Sequence, residues 1–227
     1  TIQDYFHDYD ALVLAIGADD RQVPSRPAYP FFHVANVATT ERLLGVAKAA
    51  GIGKVIITGS YFTHLAREHA DWRLPSLHPY IQSRWEQNAA AMAMAEPEFT
   101  VIVLELPFVF GTAPHCRPLW TPLVHYIDYC APLGLFYCDG GTAAVSVTGV
   151  AEACVDAFAH CRESATIPLV ERNFTWWELE NEIAGFLGHS PRMYRVKPFM
   201  IKPVFSAVER FDSWRGREAG LHQSALA

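Results

Sequence analysis

The chain has 227 residues, of which 51% are hydrophobic and 19% are charged, with a formal net charge of −6 at pH 7. This composition excludes an intrinsically disordered chain, and the length suffices for one sizeable core or for a large domain with a small lobe. No basic cluster is present, and no apolar run approaches the roughly 20 residues of a membrane-spanning helix. We therefore expect neither nucleic acid nor a membrane as a partner.

The cysteines and histidines give no sign of a disulfide framework or a metal site. The cysteines are odd in number and lack Cys-x-x-Cys spacing: Cys116, Cys130, Cys138, Cys154 and Cys161. We expect small buried thiols in a reducing compartment and predict a cytoplasmic protein. The ten histidines contain no His-Glu-x-x-His pair, and we predict no metal.

The first predicted elements alternate between strand and helix. Residues 10–17 predict a strand that ends at the turn glycine Gly17, and three prolines at 24, 27 and 30 mark a loop. Residues 34–51 have the apolar spacing of a helix, and residues 55–58 are a β-branched run typical of a buried strand. The crossover between the two strands is long enough for a parallel strand–helix–strand unit.

The alternation continues with a helix over residues 80–95 and a strand over residues 99–106, which together predict a doubly wound α/β fold with a parallel sheet. Beyond Gly111 we expect a loop around Trp120, a helix over 123–129, a strand over 143–147 and a helix over 150–160. Thr175 and Glu178 predict a capping box for a helix that runs to residues 187–188. The tail from Ser190 is expected to fold partly onto the substrate side.

Three residues between the second and third predicted strands carry candidate chemistry. Ser60 follows the strand, Tyr80 opens the next helix, and Arg84 lies four residues later on the same helix face. Because a tyrosine titrates near 10, a base role at neutral pH needs a nearby cation. The alternatives are a structural tyrosine with Arg84 in an ion pair, and a Ser60 hydroxyl that only satisfies backbone groups.

These residues resemble the extended short-chain dehydrogenase/reductase superfamily, in its NAD-dependent epimerase/dehydratase branch. That family has Ser or Thr at this strand end and Tyr-x-x-x-Lys on the helix, where this chain has Arg84. Residues 36–40 resemble its Asn-Val-x-x-Thr segment, and residues 104–111 are similar to Leu-Arg-Pro-x-x-Val-Tyr-Gly, with Glu105 in place of arginine. The resemblance implies a Rossmann-like domain in residues 1–112 and 140–165 and a substrate lobe in residues 113–139 and 166–227.

One departure from the family is large. Its Gly-x-x-Gly-x-x-Gly loop, which holds the dinucleotide pyrophosphate at a helix N-terminus, has no counterpart here. The strand around Leu12 looks like the family's fourth, so the chain resembles an enzyme without its first roughly sixty residues. The sequence leaves open whether the chain is a fragment or a protein that has lost this unit.

The resemblance implies NAD or NADP as the cofactor and assigns residues to it. The ribose would be lined by the backbone of Ala15, Ile16 and Gly17 and the nicotinamide by Pro107, Phe108 and Val109, with Asn36, Tyr80 and Arg84 also at the cofactor. Ser60, Tyr80 and Arg84 would be catalytic. For the substrate we nominate aromatic and histidine side chains, although core packing is the alternative for each: Tyr61, Phe62, His64, Phe108 and Trp120.

The expected function is therefore an NAD(P)-dependent oxidoreductase or epimerase for a nucleotide sugar or another small hydroxyl or carbonyl compound, with Tyr80 as general acid/base. The alternative is a non-catalytic member of the same fold that senses a dinucleotide or contacts proteins. A third reading is an inert fragment. The family also predicts a homodimer formed through the helices at residues 34–50 and 80–95.

Overall fold

The structure is a computed structural model that describes Phe6, residues 8–112, Pro118 and residues 120–226, with only the backbone described at Pro198. Cys116 and part of the predicted loop before Trp120 lie outside these residues. The elements occur in the order β1 (Ala11–Leu14), α1 (Tyr29–Phe32), α2 (Thr39–Ala49), β2 (Lys54–Ser60), α3 (Tyr61–Glu68), α4 (Leu74–Leu77), α5 (Pro79–Ala93), β3 (Thr100–Leu106), β4 (Phe108–Phe110), α6 (Thr121–Cys130), β5 (Leu135–Cys138), β6 (Gly141–Ser146), α7 (Val147–His160), β7 (Ala165–Pro168), β8 (Arg172–Thr175), α8 (Trp176–Phe186), β9 (Met193–Val196), α9 (Pro198–Trp214) and α10 (Gln223–Leu226).

Four parallel strands form the main sheet in the order β1-β2-β3-β7. Their register places Leu12 beside Val55 and Val55 beside Val101. The crossovers between these strands contain helices, as parallel pairing requires. The predicted parallel α/β sheet is therefore confirmed.

Alternate residues of the central strands enter two different cores, because successive side chains of a strand point to opposite faces. Val55, Ile57, Val101 and Val103 pack with residues of α2 and α5 on one face. On the other face, Ile56, Ile102 and Leu104 pack with Ala157 of α7. Helices thus cover both faces, which is why these strands are almost continuously apolar.

The predicted helix at residues 34–51 is longer than expected and contains an irregular turn. Residues 33–38 form a π-helical segment between α1 and α2, in which the Thr39 N–H donates to the carbonyl of Val34. The segment contains the fully buried Asn36. Such single-turn insertions are frequent at functional sites because they turn a side chain out of the regular helical position.

The C-terminal part of the chain adds two small sheets, β4-β6-β8 and β5-β9. A separate core joins Ile127 of α6, Leu135 of β5 and Ala184 of α8. The predicted capping box is present, since the Thr175 hydroxyl accepts from the Glu178 N–H and the Glu178 carboxylate accepts from the Thr175 N–H. Helix α8 therefore begins where the sequence predicts.

The sequence analysis did not predict the short helices α4 and α10, nor the longer helices α3 and α9. Helix α3 starts directly after β2 with Ser60 as its N-cap, so the end of the strand is also the start of a helix. Helix α9 contains Pro203 and begins at Pro198, which is acceptable in a first helical turn. No helix within the described ranges is both long and apolar enough to cross a membrane.

Candidate functional site

Ser60 lies at the carboxyl end of β2, the edge where parallel α/β sheets bind ligands. Its side chain is buried, and its Oγ accepts a hydrogen bond from the Phe62 N–H at 3.4 Å. That bond uses the acceptor side of the hydroxyl, so the Ser60 O–H remains able to donate. The described residues show no hydrogen bond between Ser60 and Tyr80. Phe62 contacts both, since its N–H donates to Ser60 and its ring packs against Tyr80.

Tyr80 is held at the first turn of α5 by both its backbone and its ring. Its N–H donates to the carbonyl of Gly220 at 3.0 Å. The ring is 7% exposed and packs edge-on against Phe32 and Phe62, with centroid distances of 5.8 and 6.5 Å. Within the part of the chain that is described, the Tyr80 hydroxyl has no hydrogen-bond partner. Tyr80 is thus fixed in position, with a hydroxyl that these contacts leave unbonded.

Arg84 places a positive charge beside the Tyr80 ring. The guanidinium carbon lies 5.5 Å from the ring centroid, within the range of a cation–π contact. One terminal nitrogen donates to the Ala18 carbonyl at 3.1 Å and the other to Gln87 Oε1 at 2.8 Å. The buried Arg84 Nε has no partner among the described residues. Because an unsatisfied buried donor calls for an explanation, Nε is a candidate for contact with a ligand.

The loop after β1 meets Arg84 through a glycine. Gly17 has φ +132°, and a Cβ there would lie 2.5 Å from Asn36 Oδ1 and 3.2 Å from both terminal nitrogens of Arg84. Only glycine fits this backbone conformation and this space. Asn36 accepts from the Ala18 N–H at 2.8 Å and donates to Ser83 Oγ at 2.9 Å, so it joins the loop to α5.

The preceding residues of the same loop, Ala15 and Ile16, are exposed at the end of β1. Next to the glycine, burial raises the pKa of the Asp20 carboxyl, the neighbouring Asp19 charge adds to this effect, and the Arg84 charge opposes it.

The structure places the remaining predicted residues in two other groups. On α3, the rings of Tyr61 and His64 are 4.9 Å apart and both side chains are half-buried. After β3, Pro107, Phe108 and Val109 are half-buried, and a chain of rings runs from Phe108 to Phe110 at 5.2 Å and on to Trp120 at 5.6 Å. Of the predicted site residues, direct contacts therefore bring together Gly17, Asn36, Tyr80 and Arg84. Phe62 joins this group by packing against Tyr80.

A buried ion pair next to Ser60 was missed by the sequence analysis. Glu105 of β3 is fully buried and accepts two bonds from the Arg67 guanidinium, at 2.7 and 2.5 Å. Thr63 and Asn88 also donate to this carboxylate, the latter at 3.0 Å. A carboxylate inside an apolar strand needs a cation to compensate its charge. The position of Glu105 in the sequence could therefore have predicted a basic partner, which the structure shows to be Arg67.

Taken together, these residues offer a free phenol, a free hydroxyl proton and a fixed cation at the carboxyl end of a parallel sheet. A phenol, a hydroxyl and a cation are the groups that proton exchange with a substrate oxygen uses. No group of three or more His, Cys, Asp or Glu side chains suited to a metal ion occurs among the described residues.

Comparisons with known proteins gave matches only among solved structures. No protein-family model matches the chain, and no curated protein matches it. The chain is similar to gox2253, with 20% identity and a TM-score of 0.73 over 99% of this chain and 69% of that one. It is also similar to UDP-N-acetylglucosamine 4-epimerase from Bacillus cereus, with 14% identity and a TM-score of 0.68 over 86% and 68% of the two chains.

A third similar structure is MoeE5 in complex with UDP-glucose and NAD, with 18% identity and a TM-score of 0.62 over 87% of this chain and 69% of that one. At such identities the likeness concerns the fold. It agrees with the parallel sheet and with the family resemblance in the sequence. The chain therefore has the fold of the extended short-chain dehydrogenases/reductases.

Proposed function

We propose that the protein is an NAD(P)-dependent oxidoreductase or epimerase that acts on a nucleotide sugar or another small compound with a hydroxyl or carbonyl group. The observation that carries this proposal is a Tyr80 hydroxyl that has no hydrogen-bond partner among the described residues, on a ring whose centre lies 5.5 Å from the Arg84 guanidinium carbon. The solved structures with this fold support it, because one is a nucleotide-sugar epimerase and another holds UDP-glucose and NAD.

The residues present fit the nicotinamide–ribose end of NAD. Arg84 Nε is a buried donor without a partner among the described residues, and a ribose hydroxyl is an acceptor that would satisfy it. Gly17, whose missing Cβ lets Asn36 and Arg84 lie close to the backbone, is itself exposed in the same loop. We assign the cofactor contacts to Ala15, Ile16, Gly17, Asn36, Tyr80, Arg84, Pro107, Phe108 and Val109. NAD, when bound, supplies and accepts hydride.

The protein's own contribution would be proton transfer and orientation. Tyr80 Oη would accept the proton of a substrate hydroxyl, or return a proton to a carbonyl oxygen. The fixed charge of Arg84 would lie beside the Tyr80 ring while this proton is exchanged. Ser60, whose O–H remains free to donate, would hydrogen-bond the same substrate oxygen. Tyr61, Phe62, His64, Phe108 and Trp120 are proposed as substrate contacts.

The test is to express the protein from its complete gene and to titrate it with NADH and with NADPH, reading energy transfer from tryptophan. UDP-sugars are then screened for turnover with the wild type, with Tyr80→Phe and with the control Tyr129→Phe, whose ring is 84% exposed. We expect Tyr80→Phe to abolish turnover while cofactor binding and folding remain. Unchanged turnover in Tyr80→Phe would refute the proposed role.

A non-catalytic role in dinucleotide sensing or protein contact is the second candidate. It is favoured by the two hydrogen bonds that tie the Arg84 guanidinium to Ala18 and Gln87, since a lysine in the family would be freer. Dinucleotide binding without turnover of any UDP-sugar, in wild type and Tyr80→Phe alike, would support this candidate.

We also propose that the protein forms a homodimer through α2 and α5. Apolar surface is exposed on or just before these helices, at Phe31, Val34 and Trp85. A monomer mass in small-angle scattering at micromolar concentration would contradict this proposal, and a dimer mass that Trp85→Glu reduces to that of a monomer would support it.

A further inference from the structure

The outward face of α9 is apolar along the length of the helix. Met200, Val204, Ala207, Phe211 and Trp214 follow one another at alternating spacings of four and three residues, which places them on one side of a helix. All five are exposed, and Trp214 reaches 81%. Together they form the α9 stripe, which the described residues leave uncovered. A contiguous exposed stripe of this kind marks an interaction surface.

The charges beside the α9 stripe are unequally distributed. The exposed charged side chains of this segment are all basic: Lys197, Lys202, Arg210 and Arg215. The Arg215 guanidinium lies 5.5 Å from the centre of the Phe211 ring, directly at the stripe. The two acidic residues of the helix are half-buried, and Glu209 is bound to the Ser224 N–H at 2.9 Å and to its hydroxyl. The open side of α9 is therefore apolar with cationic edges.

This charge pattern favours one kind of binding partner for the α9 stripe over another. A second copy of the chain would bring the same cations against each other across a two-fold axis, with no exposed carboxylate on the helix to offset them. An anionic occupant would instead be attracted by both edges. A lipid surface also needs no matching pockets for the large rings near the two ends of the helix, Phe199 and Trp214, which are 69% and 81% exposed.

We propose that α9 binds flat on an anionic lipid surface, with the α9 stripe in the headgroup boundary and Arg210 and Arg215 against lipid phosphates or carboxylates. Helices with this combination of apolar and cationic side chains lie in the plane of the interface rather than across the bilayer. Tryptophan is enriched at that depth. The binding is independent of the proposed catalytic function. It departs from the expectation, drawn from the sequence, that a membrane is no partner, because it needs no helix that crosses the bilayer; no helix among the described residues is long and apolar enough to do so.

The test uses the folded chain and extruded vesicles of phosphatidylcholine, with or without about 30% phosphatidylserine. Sedimentation gives the bound fraction, and tryptophan emission reports insertion. We expect binding to the anionic vesicles only, with a blue shift, and release as salt is raised. The double variant Val204→Ser/Phe211→Ser and the double variant Arg210→Glu/Arg215→Glu should each lower the partition coefficient at least about tenfold.

The control is Phe186→Ser, because Phe186 is 91% exposed but lies on α8. Its partition coefficient should equal that of the wild type, and all variants should keep the wild-type melting temperature because the positions are exposed. Absent binding, equal binding to both kinds of vesicle, or equal loss in the Phe186 variant would overturn the proposal. It would also be overturned by a dimer in light scattering that the α9 variants abolish, or by capture of an acidic protein without vesicle binding.

Discussion

Arg84 stands with its guanidinium carbon 5.5 Å from the centre of the Tyr80 ring while two of its nitrogens bind the Ala18 carbonyl and the Gln87 amide oxygen. The charge is therefore fixed by the protein before any ligand arrives. We expect Arg84→Met to lower turnover about a hundredfold, because the reacting Tyr80 loses the cation beside its ring, and Arg84→Lys to stay within about tenfold of the wild type.

Turnover of these Arg84 variants is compared at equal folded fraction, determined by urea unfolding, because both lose buried hydrogen bonds. Wild-type turnover in Arg84→Met would show that its charge takes no part in the reaction.

Gly220 leaves no space for a larger residue behind Tyr80. A Cβ at this position would lie 2.5 Å from Phe32 Cζ and 2.9 Å from Tyr80 Cβ. We predict that Gly220→Ala lowers the free energy of unfolding by roughly 1–3 kcal/mol, the usual cost of overpacking. Chemical denaturation measures this change. The control is Gly45→Ala in α2, where a Cβ meets nothing within 4 Å, and which should stabilise the protein by about 0.5–1 kcal/mol.

The Arg67–Glu105 pair should respond more strongly to the loss of its cation than a surface pair does. Arg67→Met leaves the fully buried Glu105 carboxylate without a counter-charge, and we expect a loss of roughly 3 kcal/mol in the free energy of unfolding. Arg172→Met breaks a pair with Glu182 in which both side chains are at least 40% exposed, and should cost less than about 1 kcal/mol. Equal losses would mean that Glu105 is solvated or protonated.

Glu180 should make stability depend on pH. Burial raises the pKa of this carboxyl from 4.5 to about 7. Between these values the folded state retains a proton that the unfolded state has released, so stability falls as pH rises through this window. Glu180→Gln should therefore gain on the order of 2 kcal/mol over the wild type at pH 8, and close to nothing near pH 4.

Thermal unfolding of wild type and Glu180→Gln across this pH range measures the effect. Glu182→Gln, on the same helix but half-exposed and paired with Arg172, is the control and should show no comparable gain at high pH. A gain in Glu180→Gln of equal size at both ends of the range would show that packing rather than ionisation is responsible.

The sequence predicted the central part of the fold because its strands and helices carry strong periodic signals. The runs at residues 55–58 and 99–106 are apolar on both faces, and they became β2 and β3 with helices on each side. Residue pattern also located α8 through its capping box. These signals are local, so a single sequence is enough to read them.

Other features depend on contacts between residues far apart in the sequence, and the sequence therefore contains weaker signals for them. The π-helical segment at residues 33–38 reads as ordinary helix, and only tertiary contacts decide that Asn36 faces Ala18 and Ser83. The approach of Gly220 to Tyr80 joins residues 140 positions apart. Ser60 was chosen as a site residue, yet its role as the N-cap of α3 could not be separated from a ligand-binding role by pattern alone.

The Glu105–Arg67 pair also bears on the exchange of segments with similar proteins. The extended short-chain dehydrogenases/reductases that this chain resembles have arginine at the position of Glu105. Consider a hybrid protein with β3 from such a protein and α3 from this chain. Its arginine at position 105 would place a second guanidinium next to that of Arg67, where Thr63 and Asn88 now contact a carboxylate. Strand β3 and helix α3 must therefore be transplanted together, and a crossover point between them is unfavourable for any recombined version of this protein.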